Sequence, residues 1–135
     1  MARRSSSKEA RGRPIVIADD DPLTTRLIRA LLERLNRPVL VAQDGDDVLR
    51  QVRKNVPDLL VLDVHMPRRG GLEVLRVLRN DPRTQRLPIL VLTTLSQPEI
   101  AERALSAGAD AFLAKPIDCD ALLKEAHALL CEGHP

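Results

Sequence analysis

The chain has 135 residues, 44% hydrophobic and 30% charged, with Phe112 as its single aromatic residue. This is the size of one domain, able to bury roughly two-thirds of its extended surface around an aliphatic core, and recognition by aromatic stacking, as on single-stranded nucleic-acid platforms, is excluded. The net charge of +2 is unevenly spread, because residues 1–13 hold Arg3, Arg4, Lys8, Arg11 and Arg13 against Glu9 and leave the remainder slightly acidic. Residues 1–13 cannot bury apolar surface and are expected to form a disordered, solvated tail, with residues 14–132 as the folded domain.

The first apolar run, Ile15–Ala18, leads into Asp19 and Asp20. Asp21-Pro22 then supplies an N-cap and a proline at the first helical position, and Leu23, Leu27, Leu31 and Leu35 follow at helical spacing. A second run, Val39–Ala42, precedes a third, Leu59–Leu62, which ends at Asp63. The fourth, Ile89–Leu92, ends at Thr93. Ser96-Gln97-Pro98-Glu99 after it reads as a capping box, with Ile100 and Ala104 on one helical stripe. The fifth, Ala111–Ala114, ends at Lys115, and Asp118 can cap a last helix striped by Leu122, Leu123, Ala126, Leu129 and Leu130.

The apolar runs are continuous rather than alternating, as in strands covered on both faces. Five strands alternating with five helices predict an α/β domain of (βα)5 type, a parallel sheet with helices on either side. No apolar run approaches the ~20 residues needed to cross a bilayer, and the N-terminus has no signal-peptide core. Cys119 and Cys131 cannot build a disulfide framework. The expectation is a cytoplasmic protein without membrane or direct nucleic-acid contact.

In an open parallel sheet the C-terminal strand ends share one rim, where ligands bind. Here that rim receives Asp19, Asp20 and Asp63, the hydroxyl of Thr93 and the ammonium of Lys115 from four strands. Two carboxylates about 4 Å apart repel by roughly 4 kcal/mol at an effective dielectric near 20. A divalent cation resolves the conflict, and oxygen-only ligands favour Mg²⁺ over zinc. P-loop, G-x-S-x-G and H-E-x-x-H signatures are absent.

The segments Ile15-Val16-Ile17-Ala18-Asp19-Asp20-Asp21-Pro22, Pro57-Asp58-Leu59-Leu60-Val61-Leu62-Asp63-Val64-His65-Met66-Pro67, Pro88-Ile89-Leu90-Val91-Leu92-Thr93-Thr94 and Gly108-Ala109-Asp110-Ala111-Phe112-Leu113-Ala114-Lys115-Pro116 resemble the motifs of the response-regulator receiver family. Types, order and separations agree from about Pro14 to Leu130. The resemblance implies the flavodoxin-like strand order 2-1-3-4-5 and a non-enzymatic signalling role in a two-component phosphorelay.

It also implies a set of roles. Asp63 accepts a phosphoryl group from a sensor histidine kinase or a histidine phosphotransfer protein. Asp20 and Asp63 ligate Mg²⁺ directly, Asp19 acts mainly through water, and the backbone carbonyl of His65 completes the protein ligands, its imidazole being exposed. Thr93 and Lys115 contact the phosphoryl group, and Phe112 is the switch aromatic. Lys115-Pro116 corresponds to a cis peptide, and Thr94, where the family keeps small residues, narrows access to the phosphate. Asp21 is left as the helix cap. The face of the fourth helix, fifth strand and fifth helix is implied as the surface that an effector protein reads, with phosphorylation-dependent homodimerisation left open.

Arg68-Arg69-Gly70-Gly71 departs from the commoner family pattern, and both arginines are expected to be solvated. Nothing resembling an output domain follows Leu130, so a stand-alone receiver is expected ahead of one excised from a longer regulator. Competing readings are weaker. A haloacid-dehalogenase-type phosphatase wants a second aspartate where His65 stands. A flavodoxin needs a Ser/Thr/Gly-rich phosphate loop with aromatic flanks. A phosphorylation-independent pseudo-receiver would have a broken acidic pocket.

Overall fold

The computed structural model describes residues 12–66, 68–94 and 98–132. The elements follow as β1 (Ile15–Ala18), α1 (Pro22–Leu32) with a 3₁₀ turn at Glu33–Leu35, β2 (Val39–Ala42), α2 (Gly45–Lys54) and β3 (Leu59–Asp63), then α3 (Gly71–Arg79), β4 (Ile89–Thr94), α4 (Pro98–Ser106), β5 (Ala111–Lys115) and α5 (Cys119–Glu132). The five strands form one parallel sheet in the order β2-β1-β3-β4-β5, as the resemblance implied. The N-terminal tail up to residue 11, together with Ser96 and Gln97 of the expected capping box, lies outside the described residues.

Alternation along each strand sends side chains to two cores. Ile15 and Ile17 of β1, Leu59 and Val61 of β3, and Leu90 and Leu92 of β4 pack with Ile28 and Leu32 of α1 and with Leu122 and Ala126 of α5. Val16, Ala18, Leu60, Leu62, Ile89 and Val91 face the other way, against Val48 and Val52 of α2, Val74, Leu75 and Leu78 of α3 and Ala104 of α4. Continuous apolar runs were therefore the right pattern for β1 and β3, whose residues are all buried. The edge strands differ: Leu40 of β2 is 43% exposed, and β5 is only partly covered along its length.

The leucine repeat on α1 does not mark its buried face. Leu23 and Leu27 are 73% and 43% exposed, while Ile28 and Leu32 are fully covered. A strict four-residue repeat drifts around a helix of 3.6 residues per turn, so Leu31 and Leu35 reach the core edge while Leu23 turns to solvent. The caps were legible. Asp21 accepts from the Leu23 N–H at 3.3 Å and the Thr24 hydroxyl at 2.5 Å, and Asp118 accepts from the Ala121 N–H at 3.1 Å. Asp44 caps α2 through the Asp47 N–H at 2.8 Å.

Register fixes what meets at the rim. Ala18 lies beside both Ala42 and Leu62, and Asp63 beside Leu92. Asp19 and Asp63 thus leave adjacent strands at the same level, with Thr93 one residue beyond the β3–β4 pair. Thr94 lies beside Lys115 on β5.

At the opposite end of the sheet, one guanidinium holds several chain segments. Arg79, at the end of α3, donates to the carbonyls of Leu87 at 2.7 Å, Gly108 at 2.9 Å and Thr84 at 3.1 Å, and pairs with Asp110 at 3.0 Å. Asp110 in turn accepts the Ile89 N–H at 2.8 Å. The Arg79 side chain is only 16% exposed, so removing it strands carbonyls and a carboxylate together. Arg79→Met should lower the unfolding free energy by about 2–4 kcal/mol in urea denaturation, with little change in the slope of the transition.

Candidate functional site

The chain turns sharply after β1 and β3, and those turns deliver the acids. Asp19 is buried, at 2% exposure; one of its oxygens accepts the Asp21 N–H at 2.9 Å and the other takes the Lys115 ammonium at 3.1 Å. Asp63 is 4% exposed; it accepts the His65 N–H at 3.1 Å and the same Lys115 ammonium at 3.2 Å. Asp20 is exposed beside them. One carboxylate oxygen from each of Asp19, Asp20 and Asp63 lies within 4.8 Å of the others.

A lysine shared by two buried carboxylates leaves one negative charge uncompensated, and Asp20 adds another. Burial holds the Asp63 carboxyl above the usual carboxylate range, and the charge of Asp19 pushes the same way against the His65 N–H and Lys115. Burial also works against the Lys115 ammonium, but its hydrogen bond to Asp19 and the charge of Asp63 prevail and raise its pKa. Hard oxygen donors in excess of their positive partners make a place for a divalent cation.

Thr93 is 2% exposed, and its hydroxyl is buried without a hydrogen-bond partner. Such a group costs stability unless something else uses it. Beyond it a cavity of about 200 Å³ is lined by Thr93, Thr94, Ala101, Leu105, Phe112 and Ala114. Phe112, the single aromatic residue, is 42% exposed. Lys115-Pro116 is cis.

Asp19, Asp20, Asp63 and Lys115 are thus within one rim cluster, and Thr93 follows Leu92, the β4 partner of Asp63, on the adjacent strand. His65 has its side chain exposed and reaches the cluster through its backbone. Phe112 stands behind Thr93, on the cavity side. Thr94 lines that cavity as well.

The expectation of solvated arginines after β3 holds for Arg68, which is exposed, and needs correction for Arg69, which is half-covered. Arg69 bonds Asp46 at 2.9 Å and Glu73 at 2.8 Å, and Arg68 pairs with Asp44 at 3.3 Å. The loop after β3 is therefore clamped to the acidic start of α2, a contact between loops that lie far apart in sequence. Gly45 belongs to the same junction, where a side chain would collide with the Arg69 backbone. Gly71 is equally constrained: a Cβ there would lie 2.5 Å from the Asp63 carbonyl oxygen and 2.7 Å from the Val64 Cα.

The family model for the response regulator receiver domain matches residues 15–127. The chain belongs to the response-regulator receiver family. It is 34% identical to protein PilH of Pseudomonas aeruginosa over 116 residues, covering 86% of this chain and 96% of that protein. Response regulator MprA from a Mycobacterium species is 42% identical over 123 residues, 90% of this chain and 52% of MprA. A gliding motility regulatory protein of Myxococcus xanthus shares 38% over 75% of this chain, which spans 13% of that protein. Among solved structures, a response regulator of Chloroflexus aurantiacus superposes with a TM-score of 0.86 at 30% identity, over 90% of this chain and 99% of that one. The chemotaxis response regulator CheY4 of Vibrio cholerae gives 0.80 at 28%, over 87% and 98%. As a receiver, this is a signalling domain of two-component systems. Among the described residues no helix is long and apolar enough to cross a membrane.

The acid cluster costs the receiver stability when no cation is bound. Asp63→Asn should therefore raise the stability of the metal-free protein by about 1 kcal/mol, or roughly 3–5 °C in melting temperature. Calorimetry in EDTA checks this, and added Mg²⁺ should narrow the gap by stabilising the wild type.

Proposed function

We propose that this receiver takes a phosphoryl group on Asp63, from a phosphohistidine on a sensor kinase or a histidine phosphotransfer protein, and signals through the conformation that follows. The observation that carries the reading is the shared ammonium: Lys115 reaches Asp19 and Asp63 at once, beside a buried threonine hydroxyl with no partner. A phosphoryl group on Asp63 supplies what both lack. Its oxygens accept from Thr93 and pair with Lys115, whose hold on Asp19 then loosens.

The donor set fits Mg²⁺: carboxylate oxygens of Asp20 and Asp63, Asp19 through water, and the backbone carbonyl of His65. No imidazole or thiol stands among the three clustered acids. A Mg²⁺ held by these groups would supply charge neutralisation for the carboxylates and for the transferring phosphoryl group. The chain's own part is to hold Asp63 in place, through the His65 N–H and the tight seat against Gly71, and to keep Lys115 ready.

Phosphorylation adds about −1.5 to −2 of charge at the rim. Thr93 moves toward it, and the space it vacates joins the cavity of about 200 Å³ beside the ring of Phe112. Turning that ring inward changes the surface formed by α4, β5 and α5, and an effector protein that prefers one form reads the difference. Phosphorylation-dependent dimerisation through this same surface remains part of the proposal. PilH, matched over 96% of its length, is a relative of which a receiver makes up nearly the whole. Residues 1–13 are proposed as a solvated extension of the domain 14–132.

Incubation with a small phosphodonor tests the reading by intact mass. The wild type should gain one hydroxylamine-labile phosphate in Mg²⁺ and none in EDTA. Asp63→Asn should gain none, and Asp20→Asn should slow the reaction at least tenfold. A wild type inert to small donors, to a phosphohistidine protein and to beryllofluoride would overturn it.

A further inference from the structure

α5 turns Leu122, Ala126, Leu129 and Leu130 to the sheet. Its outer side carries His127 and Cys131, one helical turn apart and both exposed. Side chains four residues apart stack on one face of a helix. Here the Cys131 Sγ lies 3.8 Å from the His127 Nε2 and 4.0 Å from its Nδ1. A thiol is a weak hydrogen-bond donor, so the contact adds little to the helix. Neither residue belongs to the acid cluster, and about 12 Å of helix separate His127 from Cys119, where α5 begins.

We propose that His127 and Cys131 are half of a Zn²⁺ site of two thiolates and two imidazoles, closed by the same pair from a second copy of this chain. Zinc bonds thiolate sulfur at about 2.3 Å and imidazole nitrogen at about 2.0–2.1 Å, so two such ligands at a tetrahedral angle stand about 3.6 Å apart. The Sγ–Nε2 separation of 3.8 Å meets that spacing with a small turn of either side chain. One helix carries both ligands, which leaves little order to impose on binding. Thiolate and imidazole select zinc over Mg²⁺, the reverse of the all-oxygen acid rim.

A closed zinc site takes four ligands, and one α5 supplies two. Among the described residues no third His, Cys, Asp or Glu joins the pair. A second copy related by a two-fold axis brings an identical pair to the open positions, each copy giving what it receives. Charge favours the closure, because two thiolates cancel the charge of the ion. Each Cys131 thiol passes its proton to solvent as its sulfur bonds the metal, so two protons leave per zinc and nothing is oxidised or reduced.

The test titrates the full chain with Zn²⁺, or with Co²⁺ as its coloured substitute, in a non-thiol reductant. Mg²⁺ in excess keeps the acid rim occupied, and light scattering on a sizing column follows the mass. The mass should double at one Zn²⁺ per two chains and return to the monomer in EDTA, which a Cys131 disulfide would not do. Co²⁺ should give the strong visible bands of a tetrahedral site and a thiolate charge-transfer band in the near ultraviolet. His127→Gln and Cys131→Ser should lose the bands and the doubling while their helical circular dichroism is unchanged. Cys119→Ser and Asp63→Asn should keep both. Zinc binding that is absent, or that persists in Cys131→Ser, overturns the proposal, as does a dimer indifferent to EDTA. One Zn²⁺ on a monomeric chain overturns it too, and loss of that complex in His134→Gln would place the remaining ligand in the same chain.

Discussion

Two carboxylates, Asp19 and Asp63, are buried side by side at the ends of adjacent parallel strands, and one ammonium, Lys115, lies between them. Repulsion between them opposes folding, and a single lysine offsets it in part. The aliphatic sheet beneath must therefore be stable enough to force the acids together, and β1, β3 and β4 supply that with strand residues buried almost without exception. Register does the placing: because Ala18 and Leu62 lie side by side, neither acid can withdraw without unpairing a central strand.

Most of this was legible in the sequence because it depends on position along strands. A short apolar run that ends in Asp, Thr or Lys says which end of the sheet the polar group reaches, and parallel connections bring all such ends to one rim. The helix caps Asp21 and Asp118 were legible for a similar reason, since a cap is a local matter of two or three residues. The α1 leucines were not, because a four-residue repeat names several faces of a helix, and the choice among them belongs to the sheet it packs on.

Contacts between loops were least legible. Nothing near Arg69 in sequence shows that it meets Asp46, and Arg79 reads as an ordinary charge at a helix end. Its bonds to the Leu87 and Gly108 carbonyls exist because the turns before β4 and β5 close over the end of α3. Signals were present in retrospect: the acid-rich start of α2 at Asp44, Asp46 and Asp47, and glycines at 45 and 71 that leave no room for a side chain. Each shows that something approaches closely without saying what.

The Arg79 knot also bears on how the domain can move. It fastens the incoming ends of β4 and β5 to α3, while toward the outgoing ends Thr93 and Ala114 border a cavity of about 200 Å³. The outgoing end of β5 is held as well, because Lys115 bonds Asp19 and Asp63, so the room beside Thr93 is the slack that remains. That slack faces Ala101 and Leu105 of α4 and the ring of Phe112, away from the fastened back of the sheet.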